Sequence, residues 1–236
     1  MEFFPIQTRT LIPPKDDIFQ VFEESISNVK EGDILFITSK IIAIHQGRCI
    51  KTSEISKQEL IQQEADKRII STVTEKDIYL TIKDNILIPS AGIDESNANG
   101  YFVLWPNNLQ QICEEIHQYF CKKFHIKNLG IIITDSTTRP MKRGVVGIAI
   151  HSHGIVPLND KRGETDLFGK PLQVTQINVL DALSAMAVYL MGEGKEGTPI
   201  LIGRDIPHIQ YTCEKCYDNC VIPPEQDLFK PLLDAF

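Results

Sequence analysis

Short apolar runs rich in β-branched residues, at 34–44, 130–134, 145–150 and 200–203, recur along the chain between segments of helical spacing. Runs of this kind form strands buried inside a sheet, and the amphipathic helices between them cover its faces. The expected fold class is therefore α+β (mixed α/β), and the other segments can be placed around that sheet. Residues 3–12 read as a first strand. Asp16 or Asp17 can cap a helix through Ile18, Val21, Phe22, Ser25 and Ile26 that ends near Asn28, and Glu31-Gly32-Asp33 reads as the turn into the 34–44 strand. Residues 57–72 carry Leu60, Ile61, Ala65, Ile69 and Ile70 at helix spacing, and 79–88 resembles two short strands about the Lys83-Asp84-Asn85 turn. Asn108 can cap a helix whose stripe of Ile112, Cys113, Ile116, Tyr119, Phe120 and Phe124 ends near His125, and 176–191 reads as a further helix.

A chain of 236 residues can bury a sizeable core, as one large domain or two small lobes. Its 42% hydrophobic and 23% charged residues are ordinary globular values and exclude a disordered or fibrous chain. The longest uncharged apolar runs, at 129–133 and 145–150, fall far short of the ~18 residues a membrane span needs. Met1-Glu2-Phe3-Phe4-Pro5 offers no basic segment ahead of an apolar one, so the expected compartment is the cytoplasm. With 24 basic and 31 acidic side chains the net charge is −7, which opposes association with nucleic acid or anionic lipid. Six cysteines in a chain this long, with no export signal, are expected to stay reduced. Pro207, Pro223, Pro224, Pro231 and three clustered cysteines divide the chain into a main domain, 1–205, and a C-terminal tail, 206–236.

Gly192-Glu193-Gly194-Lys195-Glu196-Gly197 is a literal G-x-G-x-x-G, but it follows a helix and leads into Thr198-Pro199-Ile200, the reverse of the dinucleotide-binding order. No Walker P-loop occurs either. The run is a glycine helix cap and flexible turn, or a loop whose closely spaced backbone N–H groups approach a phosphate while Glu193 offers an oxygen to its counter-ion. Thr134-Asp135-Ser136-Thr137-Thr138-Arg139-Pro140 follows an apolar strand, so Asp135 is expected at a strand end among hydroxyls, as a hard-cation ligand or as the cap of a turn. Ala91-Gly92-Ile93-Asp94-Glu95-Ser96-Asn97 repeats the theme with Asp94. Lys142, Arg143, Lys161, Arg162 and Arg204 supply positive charge that a polyanionic substrate would use, or simply solvate the surface.

Two further clusters could bind metal. His151 and His153 share a face of a strand, and Cys213, Cys216 and Cys220 could hold Zn²⁺ with His208 or an outside ligand as the fourth. The alternatives are structural histidines and an ordinary reduced tail.

Taken together, the segments 91–97, Ile133-Thr134-Asp135-Ser136, Arg139-Pro140, Arg143-Gly144 and Leu190-Met191-Gly192-Glu193-Gly194 through Pro199 resemble the coenzyme F420 γ-glutamyl ligase family over roughly residues 10 to 205. The resemblance implies a mixed α/β fold of that family's own kind, neither Rossmann nor P-loop, assembled as a homodimer. It implies an enzyme that joins L-glutamate to a carboxylate of a deazaflavin or, in some relatives, a folate-type pterin, using GTP through an acyl phosphate. It further implies a pair of Mg²⁺ or Mn²⁺ ions held by Asp94, Asp135, Ser136 and Glu193. Nucleotide contacts are implied at Arg9, Thr10, Leu11, Ile12, Ser39, Lys40 and Asn97, and along Met191, Gly192, Gly194, Lys195, Glu196, Gly197 and Thr198. Arg139 and Arg143 are expected, on charge type, to hold phosphates or the acceptor carboxylate as catalytic groups. One departure is Ile44, which stands where the family carries a lysine, and the cysteine tail has no counterpart. A non-catalytic nucleotide- or cofactor-binding module is the competing expectation, and an assembly protein built on a metal-binding tail is a third.

Overall fold

The structure, a computed structural model, describes residues 1–69 and 78–236. Its first half contains β1 (Glu2–Ile6), α1 (Ile18–Ser25), β2 (Ile34–Thr38), α2 (Ser39–His45), β3 (Cys49–Lys51), α3 (Lys57–Glu64), β4 (Lys67–Arg68), β5 (Leu80–Lys83), β6 (Ile86–Pro89) and β7 (Tyr101–Val103). There follow α4 (Leu109–Phe124), β8 (Gly130–Thr138), β9 (Val145–His153), β10 (Leu158–Asp160), β11 (Gln176–Asn178), α5 (Val179–Met191), β12 (Ile200–Arg204) and α6 (Lys230–Leu233). The central sheet runs β1-β12-β2-β8-β9, with β2 and β8 parallel and the other pairs antiparallel. This is the mixed α+β class expected from the alternating runs, and it is not a doubly wound parallel sheet.

The apolar runs are continuous because the central strands are buried on both faces. Leu35, Ile37, Ile131 and Ile133 pack with Phe22 of α1, Ile42 of α2 and Ile112, Ile116 and Phe120 of α4. Ile34, Phe36 and Ile132 point the other way and pack with Leu180, Ala187, Val188 and Met191 of α5. A smaller core joins Leu60 and Ile61 of α3 to Tyr79, Ala91, Ile93, Phe102 and Leu104. Asp33, fully buried just before β2, accepts from the Arg204 guanidinium at 2.8 and 2.6 Å and so ties β2 to β12.

Several boundaries depart from expectation. The strand expected over 34–44 stops at Thr38, and Ser39–His45 is helical. Ile41, Ile42, Ala43 and Ile44 are all buried, so apolar density there could not separate strand from helix. The strand expected over 3–12 ends at Ile6. The helix expected over 57–72 starts on a Ser56–Glu59 capping box but ends at Glu64, and Lys67–Arg68 pairs with β5 instead. Its last expected residues, 70–72, lie outside the described residues. Gln176–Asn178 is a strand, and the helix begins after Asn178, whose side chain accepts from the Asp181 N–H. β8 continues to Thr138, so Asp135 lies within a strand and not at its end. The two strands about Lys83-Asp84-Asn85 and the helix between Asn108 and His125 are as expected.

Beyond β12, Ile206, Ile209, Tyr211, Tyr217 and Cys220 pack partly buried against the α5-side core. The Val156 N–H donates to the Gln210 carbonyl and the Thr212 N–H to the Gly154 carbonyl, which lays this segment alongside the chain leaving β9. No helix among the described residues is long and apolar enough to cross a membrane.

Candidate active site

The parallel pairing of β2 and β8 sets Thr38 opposite Thr134. The next residue on each chain is Ser39 and Asp135, and the two side chains meet: Ser39 Oγ donates to Asp135 Oδ2 at 2.7 Å. A shift in the β8–β9 register between Ile133 and Thr134 marks the point where β8 enters the site, a common use of a bulge. Asp94 arrives on a turn built from three successive left-handed residues, Ser90, Ala91 and Gly92. Thr81 Oγ1 holds that turn by accepting from the Ala91 N–H at 2.8 Å, and Gly92 lies so close to the buried Trp105 that a Cβ would sit 2.3 Å from the indole. Glu193 follows Gly192, which ends α5 at φ 79° and ψ 163°, a backbone conformation essentially reserved for glycine.

These segments and residues 8–11 enclose a cleft of about 370 Å³. Lys40 Nζ stands 2.5 Å from Asp94 Oδ2. Asn97 Nδ2 donates to the Gly194 carbonyl at 2.9 Å and links the Asp94 turn to the glycine loop. Burial pushes the Asp135 carboxyl up to about 6 against the pull of the Ser39 hydroxyl, and the nearby Asp94 and Glu193 charges add to the rise. Burial likewise raises Glu193. Burial acts on Asp94 too, but the Lys40 ammonium and the Ser96 donors outweigh it and hold that carboxyl low.

Every expected metal ligand, Asp94, Asp135, Ser136 and Glu193, lines this cleft. So do Arg9, Thr10, Leu11, Ser39, Lys40, Asn97, Met191, Gly192, Gly194, Lys195, Glu196, Gly197 and Thr198. Ile12 does not: it is exposed beside Asp16, which accepts from its N–H. Arg139 and Arg143 do not either, since both sit on the exposed tip of the β8–β9 hairpin. Sequence reasoning passed over Thr8 and Thr38 on the cleft wall, and its apolar side of Ile41, Val103 and Leu104 around Ile44, the position where the family carries a lysine. Small hydroxyls and buried aliphatics carry no signal distinct from ordinary turn and core residues.

Among the described residues no group of three or more His, Cys, Asp or Glu is arranged closely enough to hold a metal ion as it stands. For the cleft carboxylates the donor chemistry nonetheless fits a hard cation, because Asp94, Asp135 and Glu193 line one cleft together with the Ser39 and Ser136 hydroxyls. For the other two clusters it does not fit. His151 faces Gln110 Oε1 at 3.3 Å and the Tyr217 ring, while His153 packs on His117. Cys216 donates to the Ile155 carbonyl at 3.2 Å and Cys220 to the Tyr217 carbonyl at 2.9 Å, and burial pushes both thiols up, Cys220 to about 11. The two thiols are turned to separate backbone carbonyls and not to a shared metal position.

The sequence profile described as F420-0:Gamma-glutamyl ligase matches residues 6–205. Coenzyme F420:L-glutamate ligase of Methanopyrus kandleri is 30% identical, with 96% of each chain covered. The proteins of the same name from Methanocaldococcus jannaschii and Methanosarcina mazei are each 32% identical, covering 86% of both chains in the first case, and 90% of this chain and 88% of the relative in the second. The chain belongs to the F420-0:gamma-glutamyl ligase family and is, in class, a ligase that forms C–N bonds.

Proposed function

We propose that the protein is a GTP- and metal-dependent γ-glutamyl ligase that joins the amino group of L-glutamate to a carboxylate of the deazaflavin F420-0. The observation that supports it best is the convergence of Asp94, Asp135 and Glu193 with the Gly192–Gly197 loop on one cleft of a chain in this family.

The reaction divides the work among the residues. A carboxylate and an amine do not condense in water without activation, so the acceptor carboxylate takes the γ-phosphoryl group of GTP to give an acyl phosphate and GDP. The glutamate amine then attacks the acyl carbon, the amide C–N bond forms and phosphate leaves. The backbone N–H groups of the glycine loop bind phosphate oxygens, with Arg9 and Lys40 as nearby cationic partners. Asp94, Asp135, Ser136 and Glu193 would hold Mg²⁺ or Mn²⁺, as a pair of ions, and Ser39 fixes the orientation of Asp135. Bound there, the metal neutralises charge that develops on the phosphoryl group in transfer. The apolar wall of Leu11, Ile41, Ile44, Val103 and Leu104 excludes water from one side and suits a planar ring.

Exposed Met141 and Val145 on the β8–β9 tip, with Met186 and Tyr189 on α5, suit a homodimer contact. In a dimer that tip can reach a second copy, which gives Arg139 and Arg143 a route to bound phosphate or acceptor carboxylate that their own cleft does not. Light scattering that shows only monomers would remove this part of the proposal. Reaction in the cytoplasm fits the GTP requirement.

The deciding assay supplies glutamate, Mg²⁺ or Mn²⁺, GTP or ATP, and either F420-0 or a reduced folate, with products read by mass spectrometry. The expected product is F420-0 extended by glutamyl units with GTP. Extension of the folate alone would move the acceptor to a pterin, and no product from folded, metal-supplied protein would leave a non-catalytic binding module.

A further inference from the structure

On two walls of the cleft, charged side chains of the protein are held by groups that could receive a ligand. Lys40 Nζ is 2.5 Å from Asp94 Oδ2 and donates to the Ser96 carbonyl at 3.0 Å and Ser96 Oγ at 3.1 Å. An ammonium has three N–H donors, and here three oxygens meet them. A carboxylate, a carbonyl and a hydroxyl are equally the oxygens a hard cation takes. On the loop opposite, Glu196 Oε2 accepts from the Gly194 N–H at 2.8 Å. The Glu196 carboxylate lies close against the loop glycines: a Cβ on Gly192 would stand 2.5 Å from its Cδ, and one on Gly194 3.3 Å from its oxygens. A carboxylate held by a glycine-loop amide offers that N–H the same kind of anionic oxygen that a phosphate would.

We propose that Lys40 and Glu196 are stand-ins for the divalent cation and the phosphate, and that cation and nucleotide displace them together. The inference rests on the nucleotide–metal reading above. The two positions are mechanically joined, because Asn97, on the Asp94–Ser96 turn, donates to the Gly194 carbonyl at 2.9 Å. A nucleotide arriving alone meets Glu196 on the loop and Asp94, Asp135 and Glu193 without a divalent counter-charge. A cation arriving alone must expel the Lys40 ammonium from Asp94 with no phosphate to receive it. Arriving together, the cation takes the Asp94 oxygens, Lys40 turns to the phosphates, and Glu196 gives up the Gly194 N–H. Lys40 is thus a ligand-contacting residue whose removal has opposite effects on cation and nucleotide, and Glu196 a positioning residue whose removal frees the loop for phosphate.

The test is calorimetric titration with GTP and Mn²⁺ binding by electron paramagnetic resonance, each with and without the other ligand, on wild type, Lys40→Met and Glu196→Gln. In the wild type each ligand should tighten the other by about tenfold or more, the scale of one charge-assisted hydrogen bond. Lys40→Met should bind Mn²⁺ alone more tightly and GTP more weakly, whereas Glu196→Gln should bind metal-free GTP more tightly. A role confined to folding would weaken both ligands alike. Folded variants whose affinities match the wild type, or shift together in one direction, overturn the stand-in inference while leaving the ligase reading intact. Wild-type protein that binds neither ligand overturns both.

Discussion

Ser39 and Asp135, 96 residues apart in the chain, are brought together by one parallel strand pair and share a 2.7 Å hydrogen bond on the cleft wall. The Ser39 hydroxyl is the first force that opposes the burial-driven rise of the Asp135 carboxyl. Ser39→Ala should therefore raise that carboxyl further above about 6 and shift the acid limb of kcat/KM to higher pH. Loss of a hydrogen bond to a charged group costs about 1.5–3 kcal/mol, so activity near pH 6 should fall about tenfold or more. A pH profile that superimposes on the wild type contradicts this role.

Asp135→Asn should abolish turnover and leave the fold intact. The sign of its stability effect follows from the raised carboxyl. Between the ordinary value of 3.8 and about 6 the folded state holds a proton that the unfolded state has lost, so stability falls as pH rises through this window. The neutral amide escapes that penalty, and thermal melting of the variant at pH 7 should match or exceed the wild type. Retained full activity would remove Asp135 from the metal site.

Gly92→Ala tests how the Asp94 turn is supported. Its φ of +69° and the 2.3 Å approach of a Cβ to the Trp105 indole leave no room for a side chain. The variant should lose about 1–3 kcal/mol of stability by urea unfolding and lose metal affinity with it, because Asp94 lies only two residues on. Metal affinity that survives a clear loss of stability would show that Asp94 is placed by something other than this turn.

His151 sets an acid limit on the fold. Burial is the main cause that lowers its imidazole to about 4, from 6.5 when unfolded. Across that window the unfolded chain binds the extra proton, so stability is full above about 6.5 and is lost as pH falls toward 4, by at most about 1.4 kcal/mol per pH unit. Urea midpoints at pH 7 and pH 5 for wild type and His151→Gln provide the check: the variant should show a flatter pH dependence, and equal slopes would assign the acid sensitivity elsewhere.

Arg204→Ala should be among the most destabilising single changes. It strands the fully buried Asp33 carboxylate without its bidentate partner at the start of β2, a loss of about 3–5 kcal/mol for a broken buried pair. Asp33→Asn with Arg204→Gln, which leaves no bare charge, should recover part of it in the same unfolding measurement.

Local residue pattern located the strands of the central sheet, though not their ends, together with the glycine run after α5 and the three carboxylate segments, because burial on both faces, positive-φ positions and oxygen-rich loops each demand particular residue types at short range. The same short-range information could not tell that 39–45 is a helix, since its isoleucines are buried whichever period they follow. Nor could it tell that β8 runs on through Asp135, that Cys216 and Cys220 spend their thiols on backbone carbonyls, or that Arg139 and Arg143 sit on an exposed tip. These depend on which segments lie side by side. Only the tertiary structure sets Lys40 on Asp94, Ser39 on Asp135 and Asn97 on Gly194, contacts between residues 54, 96 and 97 positions apart that no local pattern encodes. Strand register and the packing of α2 and α5 on opposite faces of one sheet bring them within hydrogen-bond reach.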